Sequence, residues 1–393
     1  MKDSYKLLCD SVAAVIAGRE VVFSPDAEFD WEEFFDLAKA HSIAGLIAYA
    51  LPKIPAMPKD VQDKFRKEQL LNIFKGTNQE TRIGAVLAEF EKSGIEAMPL
   101  KGYIMKNYYP SADMRSMCDV DILIKTDRYD DAKAIMEKYG LKFKLESAHE
   151  FVFTDKEVIT VELHKTLVPD YNRDLFAYYG DGWRLAKKKE DSEHIYEMSA
   201  EDFYVYNVVH AAKHYQKTGI GVRQVADIWI LEQKFDFSDE AKHYIKEQLE
   251  KLGIAEFRDN ISALSKVWFE GAESTGLLDT MSEYILSGGN FGKIERLEVS
   301  EIYTSSGDGG YKSAKIKRIF RLFFPTLKNM KLMYPVLNKA PVLYPVYIVI
   351  RAAEKLLFKR KKVLNTMQKQ SVDTDAISEF ARHCESVGLK KSL

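Results

Sequence analysis

The stretch MRSMCDVDILIK, residues 114–125, decides how this chain is read. Residues two apart in a strand share a face, so Asp119 and Asp121 project together while Val120, Ile122 and Ile124 point the other way. A strand that buries one apolar face has no packing use for two neighbouring acids, which repel each other unless a cation holds them. In extended chain their Cα atoms lie roughly 6.5 Å apart, so both carboxylates can converge on one hard cation or a close pair of them.

Downstream, VITVELHKTL (158–167) supplies a third acid, Glu162, with Val161 and Leu163 on the opposite face. If this strand lies beside the first, at the ~4.8 Å interstrand spacing, three carboxylates meet on one sheet face. That is a site for two Mg²⁺ ions. His164 shares the face of Glu162 and is a candidate contact for nucleotide or acceptor, or a strand-end histidine bonded to a neighbouring loop. Upstream, IEAMPLKGYIMKNYYP (95–110) reads as a strand, a Lys-Gly turn and a short helix stopped by Pro110. Gly102 lets backbone approach a ligand, and a helix beginning near Tyr103 would turn free N–H groups towards phosphate. Lys101 and Arg115 add positive charge there. A phosphate loop followed by metal-binding acids suits phosphoryl or nucleotidyl transfer.

Taken together, PLKG (99–102), YYPSADMRSMCDVDILI (108–124) and VELHKTL (161–167) resemble the DNA polymerase beta-like nucleotidyltransferase superfamily. More narrowly, the Lys-Gly turn, the arginine before the acid pair and the acid-Leu-His motif resemble a family of uncharacterised bacterial nucleotidyltransferases. WEEFFDLAKAHSIAGLIAYAL (31–51) and ADIWILEQ (226–233) are similar to that family's flanking helices. The resemblance implies an Mg²⁺-dependent enzyme moving a nucleoside monophosphate from an NTP, with ATP the expected nucleotide, to an unidentified hydroxyl acceptor, releasing pyrophosphate. It implies metal ligation by Asp119 and Asp121, with Glu162 binding the catalytic metal or helping to deprotonate the acceptor. It also implies triphosphate contacts from Lys101, Gly102 and Arg115. Two positions depart from the wider pattern: Lys101-Gly102-Tyr103 stands where a Gly-Gly or Gly-Ser pair is usual, and Cys118 where relatives often carry glycine. The competing reading is a non-catalytic module of the same fold that docks to a membrane surface or nucleic acid.

The predicted fold class is α+β, a small mixed sheet flanked by helical regions. Residues 1–92 form a helical lead-in, with apolar residues at spacings of three and four in 30–51 and 67–94. Residues 93–168 form the nucleotidyltransferase core, in which RYDDAKAIMEKYG (128–140) is a helix closed by Gly140 and EFVFTD (150–155) a further strand. Residues 169–300 return to helical spacing and close the cleft. Within them HAAKH places His210 and His214 one turn apart, yet Ala211 stands where a zinc protease has its glutamate, so a packed or nucleotide-facing helix is favoured over zinc. Asp227 reads either as an acid facing the cleft from the helical section or as a helix-surface acid, the second being preferred.

Composition sets the outer bounds. The 393 residues are 46% hydrophobic and 30% charged with a net charge of −2, the profile of a folded soluble chain. Cys9, Cys118 and Cys384 are scattered and suggest neither a disulfide framework nor structural zinc, so a reducing cytoplasm fits. No secretory signal is read at the N-terminus. The longest apolar run, APVLYPVYIVI (340–350), is about half the ~20 residues of a spanning helix. The small net charge hides an asymmetry: residues 311–370 hold 15 lysines and arginines against the single acid Glu354, leaving about −16 elsewhere. Residues 301–393 are therefore a basic, aromatic-rich region whose interleaved pattern suits docking onto the acidic body, a peripheral membrane surface or RNA, the first being preferred.

Overall fold

Five strands make one mixed sheet: β1 (Ala97–Pro99), β2 (Val120–Ile124), β3 (Lys142–Glu146), β4 (Glu150–Thr154) and β5 (Thr160–His164), in the spatial order β1-β2-β5-β4-β3. Only the β2–β5 contact is parallel; β1–β2, β5–β4 and β4–β3 are antiparallel. The computed structural model describes the chain except residues 156–158, 307–309, 312, 315–319, 321–323, 359–373 and 391–393.

Alternation sets the two faces of the sheet. Val120, Ile122, Ile124, Val161 and Leu163 are fully buried in one cluster with Phe151 and Phe153. Against them pack Ile83, Val86 and Phe90 of the long helix α4 (Lys59–Ser93) and Ala132, Ile135 and Met136 of α6 (Tyr129–Lys138). Helix α4 stops at Gly94, whose left-handed φ of +69° reverses the chain into β1. Gly140, at φ +80°, stands in the turn that follows α6, as its position in the sequence predicts.

Strand β3 was not among the expected strands. Its sequence KFKLE alternates like a strand, but every residue is exposed, and it pairs on one side only, with β4, through a register shift between Phe143 and Leu145. Charge on an edge strand discourages further pairing and masks the apolar signal.

The helices α1 (Asp3–Ile16), α2 (Trp31–Ala40) and α3 (Ala44–Ile47) gather around the first half of α4, with Phe34 and Phe35 against Phe65 at ring separations of 5.6 and 5.1 Å. Helices α7 (Arg173–Tyr179), α8 (Ala200–Lys217), α9 (Val222–Lys234), α10 (Asp239–Lys251), α11 (Ala255–Glu270) and α12 (Gly276–Leu286) belong to the same compact unit, which is Met1–Lys293 together with residues 387–390. His41 ties this unit together: its Nε2 donates to Leu286 O at 3.1 Å, and its Nδ1 accepts from Val222 N at 3.2 Å.

Residues 294–386 form a second unit. In it Met330, Leu337 and Ile348 share a small core, and Tyr303 meets Phe380 edge-on at 5.8 Å. Most cations of the basic segment 311–370, and with them its expected membrane or RNA contact, lie outside the described residues. Among the described residues no helix is long and apolar enough to cross a membrane.

Candidate active site

The parallel pairing of β2 with β5 sets Asp121 directly opposite Glu162. Three features of the sequence produce this register. Both strands bury β-branched and aliphatic residues on the α4 side, both carry their acid between those residues, and a one-residue slip would turn every one of them over. Asp119 lies just before β2 and is exposed, whereas Asp121 is 7% exposed.

The buried carboxylate has partners on both oxygens. His164 Nε2 donates to Asp121 Oδ1 at 2.7 Å, and Lys101 Nζ lies 3.3 Å from Asp121 Oδ2. Burial alone would raise the Asp121 carboxyl, but Lys101 and His164 outweigh it and hold the group well below the usual carboxylate range. The same contacts reverse the effect of burial on the two cations and raise both Lys101 and His164. Asp119 is raised instead, by desolvation and then by the charges of Asp121 and Glu162, and it makes no ion pair among the described residues.

Ligand atoms of Asp121, Glu162 and His164 lie within 4.8 Å of one another, and those of His149, Glu150 and His164 do so as well. Carboxylate oxygens are the donors a hard divalent cation requires, so Asp121 and Glu162 fit one; Asp119 belongs to neither group but lines the same cleft beside them, close enough for their charges to raise its carboxyl. His164, expected at the nucleotide, lies beneath the carboxylates and outside the cleft lining, with Nδ1 unpartnered among the described residues.

The glycine turn differs from its expected form. Helix α5 (Lys101–Met105) begins at Lys101 rather than near Tyr103, and Lys101 itself takes the left-handed φ of +41°. Gly102 is needed for space: a Cβ there would lie 2.8 Å from Arg115 Nη1 and 3.0 Å from Met117 Sδ. Arg115 in turn is held from the far side, with Nε and Nη2 donating to Asp227 Oδ1 and Oδ2 at 2.9 and 2.7 Å. Its Nη1, facing Gly102, takes no part in that pair.

Asp227 corrects the expectation of a surface acid. It is 5% exposed on α9, because Val225, Ala226, Ile228, Trp229, Ile230 and Leu231 around it are buried too. A helix enclosed on all sides turns an acid inward, and Tyr109 Oη also donates to it at 2.8 Å. Arg223, four residues earlier, donates through Nη1 to Ser116 O at 2.6 Å. Neither Tyr109 nor Arg223 was singled out from the sequence.

These groups share one cleft of about 260 Å³, lined by Lys101, Gly102, Arg115, Asp119, Asp121 and Glu162 from the core. His210, His214, Arg223 and Asp227 line it from α8 and α9, and Asn290 and Phe291 from the loop after α12. His210 and His214 therefore stand on the cleft wall, rings 4.3 Å apart. Burial, then His214, pushes His210 well below its ordinary value; burial, then Lys213, takes His214 to about 3. A second cleft, of about 340 Å³ between α4 and residues 106–117, shares Arg115 but none of Asp119, Asp121 and Glu162.

A mixed sheet with carboxylates on adjacent parallel strands, facing a cleft beside a lysine and arginines, is the framework of an enzyme that transfers a phosphorus-containing group. Residues 27–270 match the model of a family described as uncharacterised nucleotidyltransferase, and the chain belongs to that family. It is a nucleotidyltransferase by family, and its fold class is α+β as expected. No curated protein matches it. Among solved structures, the solution structure of the antibiotic-resistance factor ANT(2'')-Ia is similar at 14% identity and a TM-score of 0.28, over 50% of this chain and 95% of that one.

Proposed function

We propose that the protein moves a nucleoside monophosphate from an NTP, with ATP the expected donor, to a hydroxyl acceptor and releases pyrophosphate. The observation that carries this is the in-register pairing of Asp121 with Glu162 at the foot of a cleft that also holds Asp119, Lys101 and Arg115. Asp119, Asp121 and Glu162 would hold Mg²⁺, two ions being expected. When bound, Mg²⁺ neutralises phosphate oxygens and acidifies a hydroxyl.

The chain's own groups divide the remaining work. Lys101 and the free Nη1 of Arg115 bind the triphosphate, and Gly102 leaves room for it. Asp227 orients Arg115 and keeps its fork from swinging into Asp119. Glu162, the more open partner of the buried pair, accepts the acceptor hydroxyl's proton as the new ester bond forms. His164 serves as the orienting partner of Asp121.

Isothermal titration with non-hydrolysable analogues of ATP, CTP, GTP and UTP, with and without Mg²⁺, tests this reading. Mg²⁺-dependent binding that is lost in Asp119→Asn/Asp121→Asn is expected. Binding of an analogue to that double variant as tightly as to the wild type would sink the carboxylate assignment. Failure of all four on wild type would favour the docking module instead.

A further inference from the structure

The loop SGGNFG, residues 287–292, follows α12 and carries two residues that neither metal nor triphosphate binding uses. Its backbone is fixed at both ends. Gly289 and Gly292 have φ of +69° and +67°, and a Cβ would lie 3.0 Å from Ala40 O at the first and 1.8 Å from Thr218 O at the second. Asn290 N donates to Ala40 O at 2.8 Å, and Lys293 N to Thr218 O at 2.9 Å. Gln224 Nε2 adds a bond to Asn290 O at 3.3 Å, while its own Oε1 accepts from Gly221 N at 3.0 Å. Only glycine permits such close seating, so the course of the backbone around the two residues between these clamps is set.

Those residues, Asn290 and Phe291, line the cleft that holds the three carboxylates. Asn290 is 1% exposed, yet neither Nδ2 nor Oδ1 has a hydrogen-bond partner among the described residues. A buried amide is normally satisfied; here both polar atoms of Asn290 are unpartnered and almost without exposed surface at the cleft lining, so the side chain has to turn to present its donor and acceptor to a ligand that completes both. Phe291 shows the reverse anomaly, with a large aromatic ring 64% exposed beside it. An uncharged amide edge beside an aryl face does not suit phosphate. A planar heterocycle with a donor and an acceptor on one edge suits both residues.

We propose that Asn290 and Phe291 form the base-recognition subsite of the cleft, the amide pairing with the donor–acceptor edge of the NTP's nucleobase and the ring stacking on its face. This rests on the nucleotidyl-transfer reading above. The loop's backbone is pinned, so a turn of the Asn290 side chain on a fixed backbone completes the subsite as the base enters.

The test is Mg²⁺-dependent calorimetry on the full chain, comparing analogues of the four NTPs with inorganic tripolyphosphate. Wild type is run beside Asn290→Ala, Asn290→Asp and Phe291→Ala, the last at an exposed position where folding is not at stake. Asn290→Ala and Phe291→Ala are expected to weaken the preferred nucleotide by about tenfold or more while changing tripolyphosphate by less than about twofold. Asn290→Asp, which exchanges a donor for an acceptor, is expected to reorder the four nucleotides. Wild-type affinities and ranking in all three variants overturn the subsite, as does a loss that falls equally on tripolyphosphate. If wild type binds neither nucleotide nor tripolyphosphate, the nucleotidyl-transfer reading itself fails and takes the subsite with it.

Discussion

At the scale of single residues, the buried pair of Arg115 and Asp227 is the sharpest test of how the cleft is built. Both side chains are almost wholly enclosed, and Asp227 also accepts from Tyr109. Asp227→Ala leaves a guanidinium buried without its counter-charge, which costs about 3–5 kcal/mol of stability, readable as a lowered urea midpoint. Replacing both members, as in Arg115→Met/Asp227→Leu, removes the orphaned charge and recovers most of that loss. Nucleotide binding separates the two functions of the pair: the double variant regains stability while triphosphate affinity stays low. Recovery of both together would mean that Arg115 is purely structural. The sequence held a sign of this burial in VADIWIL, where one acid sits among apolar residues on every side of the helix. Asp119, Asp121 and Glu162 were easier to find, because an acid spoiling an alternating strand is a local contradiction. Asp227 needs its packing partners before it contradicts anything.

Among the elements, legibility follows burial. Strands β1, β2, β4 and β5 carry the apolar residues of the sheet core and were expected where they lie, whereas β3, an exposed edge, gave no burial pattern to detect. The turn into α5 shows the complementary limit: a Lys-Gly pair announces a tight approach, but which of the two residues takes positive φ depends on what crowds them. Here Lys101 adopts it, and Gly102 is kept small by Arg115 and Met117. Gly102→Ala therefore puts a methyl group against an arginine that Asp227 prevents from retreating. The expected outcome is a lowered melting temperature together with about tenfold weaker tripolyphosphate binding, since the methyl group strains the pinned arginine and displaces a charge-assisted hydrogen bond. Unchanged binding in Gly102→Ala would show that Arg115 Nη1 does not meet the phosphates. The Asn290–Phe291 loop was missed for a similar reason. Its glycines read as an ordinary turn until Ala40 and Thr218, far away in sequence, are seen pressing on them.

For the whole molecule, the helical wall and the sheet core behave as one unit whose acid tolerance is set by histidines kept neutral. His41 is fully buried and bonded at both ring nitrogens, one as donor to Leu286 O and one as acceptor from Val222 N, so only the neutral ring serves both. Burial, partly offset by the Leu286 bond, takes its pKa from 6.5 down to about 4. Above pH 6.5 both folded and unfolded chains hold the ring neutral, and its bonds contribute in full. Between pH 6.5 and 4 the unfolded chain takes up a proton that the folded chain refuses, so stability falls as pH falls, by about 2 kcal/mol at pH 5 from this ring alone. His149 at about 4, His214 at about 3 and the strongly lowered His210 act with the same sign. His164, raised by Asp121 and Glu162, opposes them, since its contribution is lost as pH rises. Asp121 does not enter this window, because its folded value lies below the range in which a free carboxylate titrates. Urea unfolding of the wild type should thus lose stability between pH 7 and 5. In His41→Gln, which keeps a side-chain donor and acceptor without a titrating ring, the pH slope should flatten by about 2 kcal/mol over the same interval. A parallel slope in the variant would place the acid sensitivity in the cleft histidines. Tripolyphosphate would then reduce it, because bound anion favours their protonated forms.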